Sequence, residues 1–416
     1  MIKERIHSLF KVGGARPFLL LVSSSLFNLL SGIVISHLLS RLLTPPELGD
    51  FYFLLNFITF LGIFASFGAF YSGSRLLLRA KTKLEADCYH GSGLIVLAGC
   101  AFVASIPYVG FYFFDLGLLK GDVRSIYFFA APGLATILLY MYFETTLPAT
   151  ERMELLGQSR VFPKLALLLI YALIYSFSSR ENISGILLLL NFSVPLLCYL
   201  ILFYFLTPNF GRLKSCLRDF ATENRLYGFH VYVGSIFTAG GTALLGISIA
   251  FFGADNTEVA YYAIAASLCS PLSIFPAAYV SSKFRDIAGS KTISSHYVLT
   301  VLVLTSGAAL TLCSFSGYLV DLVWGKAYGD VNSFVYLLSV ACVFYAIADL
   351  LGKYLSAHGY GKELRDASIV VGFVLIFSAV VLTKFFGGVG VAWARVFSGL
   401  AYLFVMAFFY KKLTVS

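Results

Sequence analysis

The sequence predicts an all-α integral membrane protein of about 12 transmembrane helices, arranged as two six-helix bundles around a central cavity. Three observations carry that fold class. Eleven long stretches hold no Asp, Glu, Lys or Arg, and a twelfth is interrupted only by Arg395. The basic residues fall almost entirely in alternate connections between those stretches. The two halves of the chain also echo each other in short motifs at similar offsets.

Spanning the hydrocarbon core takes about 20 apolar residues, and the stretches are read in order on that basis. Pro17–Ser40 is the first; it is too long for the apolar core of a cleavable signal and lacks a small-residue cleavage end, so it is retained as a span. Phe51–Ser74 and Cys88–Phe114 follow, then the shorter Ser125–Phe143 and Leu165–Ser179, the last being the shortest of all. Asn182–Gly211 closes the first six. Leu226–Ala254, Val259–Ser282 and Thr292–Val320 open the second set, and Val331–Ala348, Ala367–Thr383 and Phe385–Tyr410 complete it.

Orientation follows from charge. Connections at 1–16, 71–90, 144–164, 207–229, 281–296, 349–366 and 411–416 hold 23 of the 30 Lys and Arg residues. The alternate connections hold only Arg41, Lys120, Arg124, Arg180, Lys326 and Lys384. Short loops rich in Lys and Arg stay cytoplasmic. Both termini are therefore expected inside, with Arg41–Asp50, Asp115–Arg124, Arg180–Asn182, Gly253–Glu258, Asp321–Asp330 and Lys384–Gly388 outside.

Composition excludes several classes. With 59% apolar and 12% charged residues and a mean hydropathy of +0.86, the chain is not a water-soluble domain. The net charge of +9 belongs to the inside loops, where it marks topology and contact with membrane lipids rather than a nucleic-acid surface. Seven cysteines show no metal-ligand or paired spacing, so neither disulfide nor metal site is expected. No phosphate-binding loop, zinc-protease motif or nucleophile elbow is present, and the outside loops are too short for a catalytic domain. The chain is read as no enzyme, and no cofactor is expected.

The longest inside connection divides the chain into residues 1–206, a cytoplasmic linker loop at 207–229, and residues 230–416. Glu47-Leu48-Gly49 matches Glu258-Val259-Ala260 at an offset of 211 residues. Leu147, Ala149 and Leu156 match Leu355, Ala357 and Leu364 at an offset of 208. Six spans per half makes the repeat parallel, a design that favours transport over catalysis.

Span one carries Ser24, Asn28, Gly32, Ser36 and Ser40 at intervals of four; span seven carries Gly234, Thr238, Thr242, Gly246 and Ala250 likewise. Such a face serves either close helix packing or a mildly polar cavity wall, and the two readings can hold for different stretches of one helix. Ionisable groups within spans are functional candidates. Arg395 lies roughly 15 Å along its span from Phe385 and has no acidic residue within four positions, so it reads as cavity-facing, the other reading being a side chain that snorkels to the interface, which that depth disfavours. Its planar fork suits phosphate. Asp349 and Lys353, four apart, allow an ion pair, and Glu144 sits at a comparable depth; all three read either as interfacial structure or as an inner gate or protonatable site. His37 and Arg41 read either as outer-interface markers or as cavity residues with Asn28. Pro45, Pro46, Pro132, Gly133, Pro271 and Pro276 are candidate bending points.

Ser36–Phe60, and within it Arg41-Leu42-Leu43-Thr44-Pro45-Pro46-Glu47-Leu48-Gly49, resembles the hinge after span one of the bacterial polysaccharide repeat-unit flippases of the multidrug/oligosaccharidyl-lipid/polysaccharide superfamily. An additional proline displaces the usual acidic pair. The resemblance implies a hinge at Pro45, Pro46 and Gly49 and transport of undecaprenyl-diphosphate-linked oligosaccharide from the cytoplasmic to the outer leaflet of the bacterial inner membrane. It also implies service to O-antigen, capsule or exopolysaccharide assembly, with a polysaccharide polymerase and a chain-length regulator as partners. Members of that family often carry an Asp in span seven where this chain has Leu245, and their cationic cavity is represented here chiefly by Arg395. Alternatives from residues alone are an ion-coupled exporter of small drugs, which calls for a buried carboxylate in mid-span, an envelope-assembly enzyme, and a non-transport scaffold.

Overall fold

The computed structural model describes residues 15–114, 119, 123–150, 152–177, 183–283, 286–287, 289–290 and 292–415. Lys3, Arg5, Lys11, Lys120, Arg180, Arg285 and Lys291 lie outside the described residues. Every regular element among those described is helical. In chain order the principal helices are α1 (Ala15–Leu42), α2 (Pro45–Ala65), α3 (Ala69–Arg79), α4 (Lys83–Phe114), α5 (Pro132–Thr146), α6 (Met153–Phe177), α7 (Ser184–Tyr204) and α8 (Leu213–Glu223). They continue with α9 (Phe229–Ser235), α10 (Gly241–Phe252), α11 (Thr257–Ser282), α12 (Ser295–Val323), α13 (Val331–Ala357), α14 (Gly361–Phe386) and α15 (Gly388–Val415).

Eleven of these helical runs are long and apolar enough to cross a membrane, and a twelfth is reached if the pair Val123–Ala130 and Pro132–Thr150, bent by 47°, is one span. The chain is a multi-pass membrane protein. Its outward surface is apolar, with Phe102, Phe177 and Phe385 each at least 70% exposed, which suits hydrocarbon and not water. The bend falls at Pro132, the first residue of α5, where proline is tolerated because that position needs no intrahelical donor.

Three expectations change. Span two begins earlier than Phe51: Thr44 Oγ1 and the Thr44 backbone N–H both donate to Glu47 Oε2 at 2.8 Å, and Pro45 opens the helix, so Thr44-Pro45-Pro46-Glu47 is a helix start. The same span is broken at Phe67 and Gly68, both with positive φ (43° and 79°). A Cβ on Gly68 would collide with the Gly228 carbonyl, so this close approach and turn both require glycine. Span five begins at Met153, not Leu165, which draws Arg160 and Lys164 into the helix.

The expected linker loop at 207–229 is largely helical. From Leu213 to Phe252 the chain is one helical run in which α8, α9 and α10 are joined by π-helical turns at Asn224–Gly228 and Ile236–Gly240. Cys216, Phe220 and Glu223 share one side of α8 and are buried. Phe220 and Cys216 pack with Leu76, Leu77 and Tyr89. Glu223 receives Arg75 at 2.9 Å and Arg79 at 3.1 Å. An apolar stripe with a buried, paired carboxylate folds as a helix, whereas a charge count along the sequence resembles a loop.

The chain forms two compact units. Of the described residues, the first takes those within Met1–Leu42, Ile58–Asp115 and Ser125–Val233; the second takes those within Leu43–Phe57, Leu116–Arg124 and Gly234–Ser416. The first half of α2 is thus held by the second unit, and the long run of α8–α10 passes from one unit to the other between Val233 and Gly234. The first unit's core gathers Phe70, Leu138, Tyr142, Phe143 and Leu202 from α3, α5 and α7. The second gathers Val301, Leu350, Leu355, Ala367 and Met406 from α12 to α15.

Candidate functional site

In the first unit, charge is concentrated where α1, α5 and α6 meet. Arg160 Nε and Nη2 donate to the two carboxylate oxygens of Glu144 at 2.7 and 2.6 Å, and Nη1 donates to Ser25 Oγ at 2.8 Å. The paired fork is the strong form of this contact. Glu144 is thereby committed to a helix–helix clamp and is not a free inner carboxylate. One turn further along α6, half-buried Lys164 has no ion-pair partner among the described residues. Half-buried Asn28 on α1 has no side-chain hydrogen bond among them; its carbonyl accepts from Ser31 Oγ at 3.1 Å.

In the second unit, Arg395 on α15 stacks over the Tyr345 ring of α13, its guanidinium carbon 5.0 Å from the ring centroid. A cation over an aromatic face is attracted by the ring quadrupole. Tyr345 Oη and Ser398 Oγ are 2.6 Å apart, which fixes the ring beneath the guanidinium. No carboxylate pairs with Arg395 among the described residues. The Tyr345 ring lies 5.8 Å from that of Tyr402, whose hydroxyl donates to Asp349 Oδ1 at 3.1 Å. Asp349 therefore takes a tyrosine rather than Lys353, and the ion pair that their spacing allows does not form within 4 Å.

The hinge residues belong to a tight junction within the second unit. A Cβ on Gly49 would collide with the Asn256 carbonyl, so glycine here permits two backbones to touch. Asn256 Nδ2 donates to Asp50 Oδ1 at 2.8 Å. The two segments that echo each other in sequence, around Glu47 and around Glu258, are therefore in contact. Their glutamates differ in role: Glu47 caps α2, while Glu258 Oε2 accepts from the Gly388 N–H at 2.7 Å. Pro45 and Pro46 lie in the first turn of α2.

The small-residue stripes divide by region. At the end of span seven, Gly246 abuts Asn56 and Ala250 is fully buried, so that stretch packs; Thr238 and Thr242 on the same face are exposed. On α1, Ser24, Ser36 and Ser40 are buried while Gly32 has open space around it. His37 and Arg41 are half-buried near the end of α1 in the first unit, whereas the Arg395 group belongs to the second. Arg160, Tyr345, Tyr402 and Asn256 were not legible as site residues, because each is defined by a partner distant in sequence; Lys164 was missed because the span was read as starting just after it.

Residues 15–284 match the family model described as polysaccharide biosynthesis protein. No curated protein sequence matches the chain. Among solved structures it is similar to the lipid II flippase MurJ in an inward closed conformation, at 15% identity and a TM-score of 0.74, covering 96% of this chain and 89% of that one. It is also similar to an inward-facing multidrug resistance MATE family transporter of the MOP superfamily, at 14% identity and 0.66, covering 94% and 96%. A mutant of the Vibrio cholerae MATE transporter VcmN matches at 15% identity and 0.60, covering 96% and 98%. These likenesses are likenesses of fold.

Proposed function

We propose that this chain, which belongs to the polysaccharide biosynthesis protein family, flips undecaprenyl-diphosphate-linked oligosaccharide repeat units from the cytoplasmic to the outer leaflet of a bacterial inner membrane by alternating access. The observation that carries the reading is the pair of cations held within spans without carboxylate partners among the described residues: Lys164 in the first unit and Arg395 in the second. A charge inside a span is costly unless it serves a polar path, and an unneutralised cation is what an anionic diphosphate needs. Arg395, on its tyrosine platform, is the diphosphate ligand of the second unit; Asn28 and Lys164 are the polar groups that the first unit offers to the substrate. The glycan passes through water while its lipid tail remains in hydrocarbon, since a sugar chain cannot cross the apolar core unaided.

The orientation proposed is both termini inside, on the 23-to-6 division of basic residues. A cysteine placed at Gly329 should be labelled from outside intact cells, and one at exposed Ser215 should not; the opposite pattern reverses the topology. A polymerase and a chain-length regulator acting on the outer leaflet are the partners this role requires. The exporter reading is favoured only by Asp349, whose carboxylate has a tyrosine rather than a cation as its hydrogen-bond donor.

The deciding experiment follows a labelled lipid-linked oligosaccharide in liposomes, with its protection from a sugar-cleaving enzyme on one side as the readout. Protein-dependent movement is expected. Equal rates with and without protein would end the flippase reading, and protein-dependent movement of cationic drugs instead would establish the exporter.

A further inference from the structure

The seam between α13 and α15 in the second unit carries polar groups at three successive levels. Tyr345, Asp349 and Lys353 recur every four residues along one face of α13, about 6 Å apart by the helical rise. At the first level the Arg395 guanidinium lies over the Tyr345 ring. At the second, Tyr402 Oη donates to Asp349 Oδ1 at 3.1 Å. Lys353 forms the third. Glycines let the two helices approach along this seam. A Cβ on Gly352 would stand 3.3 Å from Tyr402 Oη, and one on Gly399 would stand 3.3 Å from the Ala341 carbonyl oxygen.

Asp349 and Lys353 are both exposed, although Tyr402, which holds Asp349, falls midway along α15. A carboxylate exposed at that depth requires a polar path beside it. The two opposite charges stand one helical turn apart, a spacing that permits an ion pair. None forms within 4 Å, and neither Asp349 Oδ2 nor the Lys353 ammonium has a hydrogen-bond partner among the described residues. The tyrosine thus fixes one carboxylate oxygen and leaves the other, with an ammonium one turn further on.

We propose that Asp349 and Lys353 bind two adjacent hydroxyls of the sugar that follows the diphosphate, a proposal that rests on the flippase reading. Asp349 Oδ2 accepts from one hydroxyl, and the Lys353 ammonium donates to the oxygen of its neighbour. A vicinal diol therefore spans the gap that keeps the two side chains apart. The pair carries no net charge, so it reads the placement of hydroxyls and not the charge of the sugar. Arg395 lies one level away on the same seam, about 6 Å along α13, which suits a diphosphate joined directly to that ring. A sugar without adjacent hydroxyls leaves one charged group unmatched, and an unmatched charge weakens binding by more than a neutral group does.

The test uses purified full-length protein in lipid nanodiscs and three radiolabelled probes. One is a polyprenyl diphosphate bearing glucose, the second bears 3-deoxyglucose, which has no two hydroxyls on adjacent carbons, and the third has no sugar. The wild type should bind the glucose probe about tenfold more tightly than the 3-deoxyglucose probe, the scale of one hydrogen bond to a charged group. Asp349→Asn keeps an acceptor for Tyr402, and so the fold; it and Lys353→Gln should each remove most of that preference without weakening the sugar-free probe. Combining the two substitutions should cost little more than either alone, because one ligand bridges both side chains. Equal affinity of the wild type for the two sugar probes, additive losses in the double variant, or equal losses on all three probes would overturn the diol site. So would tighter binding of a quaternary ammonium dye than of any sugar probe, lost in Asp349→Asn, which would assign the carboxylate to an exporter. Binding is read without transport: a protein that separates glucose from 3-deoxyglucose yet moves neither probe across a liposome would sink the flippase reading instead.

Discussion

Each unit holds a half-buried arginine within a span, and the two are treated in opposite ways. Arg160 in the first unit is neutralised by a bidentate carboxylate and tied to a serine on a third helix. Arg395 in the second rests on a tyrosine ring and has no carboxylate paired with it among the described residues. A guanidinium with a full counterion is finished as a structural element: its charge is spent inside the protein. One held by a quadrupole and a hydroxyl network is positioned but still charged, and is available to an anion. Depth in the membrane alone does not separate these cases; the partner does.

The largest effect is expected on removing the first unit's counterion. Glu144→Ala would leave Arg160 charged within a span, at a cost of about 3–5 kcal/mol, as for other broken buried pairs. Folded protein recovered from the membrane should fall steeply, and Glu144→Ala with Arg160→Ala should recover much of it. A single variant that folds normally but no longer transports would erase the contrast between the two arginines.

Next, Arg395→Ala should lower transport by about tenfold or more, the loss of a charge-assisted contact, with protein level nearly unchanged. Arg395→Lys should restore only part of it, since an ammonium cannot chelate two oxygens. Unaltered liposome flipping by Arg395→Ala would make that residue as structural as Arg160.

The smallest effect concerns the hinge junction. Gly49→Ala places a methyl group against the Asn256 backbone, and overpacking of this kind costs roughly 1–3 kcal/mol. A lower unfolding temperature is expected in detergent, with the bound-probe affinity at Arg395 retained. An unchanged melting curve would show that the junction opens readily.

Much of the fold was legible because hydrocarbon imposes a severe rule: long runs without charge must be helices. Where the chain satisfied a charge internally, that rule misled. Leu165 looked like the start of span five because Arg160 and Lys164 precede it, yet Glu144 makes Arg160 tolerable inside the helix. Residues 207–229 looked like a loop by charge, yet Arg75 and Arg79 bury Glu223 against α3. Arg395 was legible as a candidate because it interrupts an otherwise apolar run. Its tyrosine platform was not, since Tyr345 lies fifty residues away on another helix.

By itself, the sequence determined the class of the protein, its approximate number of spans and the presence of an echo between its halves, since these depend on composition and spacing along one chain. Only the tertiary structure decided which charges are spent and which remain. It also placed the first hinge in the second unit, with Gly49 against Asn256 and Asp50 bonded to it. The physical reason is the same throughout: in a low-dielectric interior, the meaning of a polar group is set by what stands within about 3 Å of it, and that neighbour is chosen by packing between helices, not by order along the chain.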